Sequence, residues 1–163
     1  MTHFDDSTAY DRRWTRASIE AQRELRISDP LWFMADHIPT TDRAEGLIAV
    51  YAGIGIERSP RMILLREVPE ELTFDERLAT LSAVVTRLDD VYASPGTDDP
   101  GVIALGLVVH RCGSSVVSES DAMWMRALHA LDEMTGVDPV GVIVRTKEGH
   151  LVKVHQDAAE RAS

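Results

Sequence analysis

Four side chains capable of chemistry crowd into one short stretch: His110, Cys112, Ser118 and Asp121. Residues two apart on a strand share a face, so a strand ending at Cys112 would present an imidazole nitrogen and a thiolate side by side. Asp121 would reach them from the first turn of a following helix. Such a nitrogen, sulfur and oxygen set suits zinc, and three protein ligands leave a fourth position for a water whose pKa the metal lowers towards neutrality. Hydrolysis would also need a general base, and Glu67, at the end of an upstream strand, is the candidate because strand ends can converge on such a joint. A second chemistry is a nucleophilic Cys112 paired with His110, although neighbours on one strand leave little room for a third group to orient the base. In a third, purely structural account, Cys112 is a small buried apolar residue, His110 bonds a backbone carbonyl, and Ser118 with Asp121 simply starts a helix. All three accounts stay open on sequence alone.

The elements that would position these residues follow from hydrophobic period. Residues 102 to 112, VIALGLVVHRC, are apolar on both alternating faces, which predicts a central strand covered on both sides. Ser118 and Asp121 form an S-x-x-D helix start, with Met125, Leu128, Leu131 and Met134 as the inner stripe and Gly136 as the stop. Upstream, residues 47 to 56 and 61 to 68 predict a hairpin of two strands around the turn ERSP. Thr73 and Glu76 form a capping box for a helix repeating Phe74, Leu78, Leu81, Val85, Leu88 and Tyr92. Downstream, residues 140 to 147 and 150 to 155 predict a closing hairpin around Glu148-Gly149.

The order from residue 46 is thus β-β-α-β-α-β-β, which implies an α/β domain with a mixed sheet covered by helices, spanning 46–157. Before it, 1–45 is expected to be a helical extension. Tyr10, Trp14, Ala17, Ala21 and Leu25 mark one helix over 7 to 27, and Leu31 to Met34 form an apolar cluster that docks on the main body or meets a partner. Residues 158–163 read as a polar tail.

A chain of 163 residues with 44% apolar content can bury one ordinary core without metal or disulfide, and its single cysteine cannot form an internal bridge. No apolar run approaches the roughly 18 to 20 residues of a membrane-spanning helix. These features, with no secretory leader pattern, lead us to expect a cytoplasmic protein with no membrane association. A net charge of −10 argues against nucleic acid as a partner, the local RRWTR notwithstanding. Arg111 and Arg145 are expected to pair with acidic residues rather than anchor an anionic ligand. Neither Gly53-Ile54-Gly55 nor Gly113-Ser114-Ser115 has the spacing of a phosphate loop.

The strand ending in His110-Arg111-Cys112, the small-residue turn and the S-x-x-D helix start together resemble a degenerate form of the metal-binding stretch of the JAB/MPN (JAMM) superfamily, in particular its RadC-like branch. In that superfamily the stretch reads H-x-H, about seven residues, then S-x-x-D, in a mixed α/β fold related to the cytidine-deaminase fold. Active members hold zinc through two His and the Asp, with an upstream Glu, and cleave peptide or isopeptide bonds. Residue by residue, His110 matches the first metal His, Cys112 stands at the second, Ser118 matches the Ser and Asp121 the metal Asp. Five residues separate Cys112 from Ser118, and Gly113 stands where RadC-like members often carry Pro. The resemblance implies a JAB-like domain with altered ligands, acting as a regulatory, scaffold or protein-binding module with a protein partner or as a homodimer. The alternative it implies is a zinc-dependent hydrolase using His110, Cys112 and Asp121. The cofactor expectation is accordingly none, or zinc. A nucleic-acid role would rest on analogy of fold alone.

Overall fold

The computed structural model describes residues 3–5, 30–37, 46–54, 61–92 and 102–155. The expected helix over 7 to 27, the turn ERSP, the loop before the central strand and the polar tail lie outside them. The chain is α/β: β1 (His3–Asp5), α1 (Pro30–His37), β2 (Ile48–Ile54), β3 (Arg61–Arg66), α2 (Phe74–Tyr92), β4 (Ile103–Arg111), α3 (Glu119–Thr135), β5 (Asp138–Thr146) and β6 (Leu151–Val154). One mixed sheet has the order β1-β3-β2-β4-β5-β6. Among the described residues only β4 and β5 pair in parallel, joined by the crossover helix α3, and the other neighbours are antiparallel. The edge strand β1, paired with β3 through Phe4 opposite Leu65, adds a strand to a region expected to be helical.

Strand period divides the core into two faces. Ile48, Val50, Ile63, Leu65, Leu105, Leu107, Val109, Val142 and Val144 turn towards α2 and α3, which cover them with Leu81, Val85, Leu88, Trp124, Leu128 and Leu131. Leu47, Ala49, Tyr51, Leu64, Val108 and Ile143 form the opposite face, against which α1 packs Leu31 and Ala35. The docking of α1 depends on Gly106, where a Cβ would lie 2.9 Å from Leu31 Cδ1. Arg145 reinforces the contact, since its Nη1 donates to the Ala35 carbonyl at 2.8 Å near the C-terminal end of α1.

Both sequence-marked helix starts form. Glu76 N donates to Thr73 Oγ1 at 3.1 Å, and Asp121 N donates to Ser118 Oγ at 3.2 Å while Ser118 N donates to Asp121 Oδ2 at 2.8 Å. Gly136, at φ 76°, closes α3 with its N–H on the Asp132 carbonyl at 2.8 Å. Two details of the inner stripe differ from expectation. Met134 is 64% exposed and Trp124 is buried, since the buried face of α3 follows 124, 125, 127, 128 and 131 and burial stops before the last turn.

Candidate functional site at the ends of the second, third and fourth strands

Because β2 runs antiparallel to both β3 and β4, the start of β2 and the ends of β3 and β4 meet at one edge of the sheet. Backbone bonds fasten them there. Val68 N donates to Gly46 O at 3.0 Å, Gly46 N to His110 O at 3.2 Å, and His110 N to Leu47 O at 2.9 Å. Gly46 is required between its neighbours, with φ 79° and a notional Cβ 3.1 Å from Val68 O. Glu67 leaves β3 at φ 57°, a left-handed conformation uncommon for a residue with a side chain. This edge and the N-terminus of α3 enclose a cavity of about 380 Å³. Among the described residues the lining comprises the apolar Ile48, Val68, Val109 and Trp124 and the polar residues Glu67, Glu70, His110, Arg111, Ser120 and Asp121. Three of the sequence candidates, Glu67, His110 and Asp121, therefore border one cavity, while Cys112 lies half-buried outside its lining.

They do not assemble as the expected triad. Among the described residues no group of three His, Cys, Asp or Glu side chains is placed to hold a metal ion. The reason is strand parity. Even positions of β4, Ala104 and Val108, pack on the α1 side, and odd positions, Leu105, Leu107 and Val109, pack under α2 and α3. Alternation puts His110 with the first set and Arg111 with the second, so the side chain delivered to α3 is Arg111, while Cys112 lies in a bend beyond the end of β4, which stops one residue short of the expected strand. His110 Nδ1 lies 3.2 Å from the Leu47 carbonyl, and since a carbonyl only accepts, that nitrogen carries the proton.

Arg111 takes up the carboxylate that was expected to meet a metal. Its Nε donates to Asp121 Oδ1 at 2.9 Å and its Nη2 to Oδ2 at 2.7 Å, a bidentate fork. The remaining guanidinium hydrogens go to the carbonyls of Cys112, Ser114 and Val116, which fixes the turn ahead of α3. The hydrogen bond to Asp121 raises the Arg111 pKa above its ordinary value, outweighing partial burial. Asp121 is 1% exposed and also accepts the Ser118 N–H, so both its oxygens are committed within the protein.

A second arginine stands behind the cavity wall. Arg77, in the first turn of α2 and 1% exposed, donates to the carbonyls of Leu72 and Glu70, to Met123 Sδ at 3.0 Å and to Ser120 Oγ at 2.6 Å. Its guanidinium also lies 5.3 Å from the centre of the Trp124 ring. Burial lowers its pKa, against the pull of Asp121 and Glu76. Arg77 thus ties the two helix N-termini to the segment after β3. Nothing in its sequence context singles it out, because an arginine in a polar-looking first turn reads as solvated. Arg111 was legible as one half of a salt bridge, but its partner was not.

No family model, curated protein or solved structure matches the chain. Among the described residues no helix is long and apolar enough to cross a membrane.

Proposed function

We propose that this chain is a JAB-like α/β domain whose metal centre has been replaced by an internal ion pair, and that it works by binding a protein partner, as a regulatory or scaffold module. The observation carrying this reading is the commitment of Asp121. A carboxylate that is 1% exposed, held bidentately by Arg111 and by the Ser118 N–H, already has its charge matched, and a zinc ion there would have to sit beside the guanidinium or displace it. Parity adds support, since Arg111 occupies the helix-facing position at the end of β4, between the two residues that would have been ligands.

Zinc content per chain, measured by elemental analysis after purification without added metal and again after loading with zinc and desalting, tests it. The expected result is far less than one zinc per chain in both samples, unchanged by Cys112→Ala. One zinc per chain that disappears on Cys112→Ala would overturn the binding module and favour the hydrolase.

A further inference from the structure

We propose that Met123 is a modification site: hydrogen peroxide converts its thioether to the sulfoxide, and the buried guanidinium of Arg77 receives the new oxygen. The proposal stands apart from the question of a metal at the joint.

Arg77 brings a full charge into a site 1% exposed, and its acceptors are of unequal quality. The carbonyls of Leu72 and Glu70 and the hydroxyl of Ser120 take three of its hydrogens. A fourth, on Nη1, meets Met123 Sδ at 3.0 Å, and the Nε–H is buried with no hydrogen-bond partner among the described residues. A thioether is a weak acceptor, so the charge is short of good partners where burial makes that costly. A sulfoxide is polar, and its oxygen would supply the acceptor that the guanidinium lacks.

The other described methionines offer no such setting. Met62 and Met125 are buried in the two apolar clusters, where an added oxygen would displace hydrocarbon contacts, and Met134 is 64% exposed on the last turn of α3. Met123 combines partial exposure, which admits a small oxidant, with a buried cation at its sulfur. In the reaction a sulfur lone pair attacks one peroxide oxygen as the O–O bond breaks. An S–O bond forms, sulfur gives up two electrons, and the departing hydroxide takes the proton of the transferred oxygen to become water. Rotation about the flexible side chain lets the sulfur step back, so that the oxygen takes its place at Nη1. Arg77 also holds Ser120 and the Glu70 carbonyl, residues of the cavity wall, so drawing it towards Met123 carries the change to the cavity.

Peptide mass mapping of the full chain after graded peroxide treatment should find Met123 oxidised at a rate within about tenfold of Met134, well before Met62 and Met125. The NMR signal of the Arg77 Nε–H should then move, together with the amides of Glu70 and Ser120. Oxidised Met123→Leu, altered equally at the other methionines, is the reference. A second arm needs no oxidant. Met123→Gln places an amide oxygen on the atom that replaces the sulfur, and should melt about 3 °C or more above Met123→Leu, with the Arg77 signal displaced in the same direction as on oxidation. Met123 modified only alongside Met62 and Met125, an Arg77 signal that does not respond, or Met123→Gln melting no higher than Met123→Leu would overturn the proposal.

Discussion

Replacing Arg111 with Met removes the cation from a buried pair while keeping a stem of similar reach. Breaking such a pair from one side generally costs about 3 to 5 kcal/mol, because the remaining charge is left buried. Here the lower end applies. Asp121, 1% exposed, would keep the Ser118 N–H as one donor, and the carbonyls of Ser114 and Val116 lie where water can replace the lost guanidinium. We expect a loss of about 3 kcal/mol, or a fall in melting temperature of about 6 to 12 °C for a chain of this size. Asp121→Asn keeps an oxygen for the cap and leaves Arg111, 13% exposed, with three carbonyls, so it should cost only about 1 to 2 kcal/mol. The double variant contains no buried unpaired charge. Its loss should therefore fall short of the sum by at least about 1 kcal/mol, measured by urea denaturation of all four proteins. Strict additivity, or an Arg111→Met variant as stable as wild type, would show that the guanidinium does not hold the carboxylate and would reopen Asp121 to a metal.

Arg77→Lys should destabilise by about 2 kcal/mol despite keeping the charge, since one ammonium cannot serve Glu70, Leu72 and Ser120 and also cover Trp124; thermal denaturation should read a drop of about 4 to 8 °C. Gly106→Ala should cost about 1 to 2 kcal/mol by pressing a methyl onto Leu31, and much of that loss should vanish when Leu31→Ala is added, a comparison urea titration can make. Burial raises the Tyr51 pKa above the ordinary 10.0, so its neutral form is favoured in the folded state. That contribution is complete below pH 10.0 and is lost as the pH climbs from there through the raised folded value; Tyr51→Phe should flatten the alkaline limb of the stability profile relative to wild type.

Much of the architecture was legible because local chemistry and burial agree. The T-x-x-E and S-x-x-D starts become real caps, Gly136 stops α3, and the doubly apolar 103–111 segment becomes a central strand. The antiparallel pairs β2-β3 and β5-β6 form as expected, the second around Glu148-Gly149. The strand β1 was not legible, for three residues carry too little periodic signal to be told from the helix expected after them. The burial of Trp124 in place of Met134 turned on which turns of α3 the core covers, which helical period alone does not specify.

For the site, sequence by itself determined that an imidazole, a guanidinium, a thiol and a carboxylate meet at one strand-to-helix joint, and that the strand shows alternate side chains to opposite faces. Which face lies under α3 was decided only by the tertiary structure. With both faces of β4 apolar, its pattern of burial is the same whichever helix covers which side, so no local signal distinguishes His110 and Cys112 from Arg111 as the residues Asp121 will meet. Packing α2 and α3 over Leu105, Leu107 and Val109 settled it, and the carboxylate that sequence offered to a metal closed instead on its neighbouring arginine.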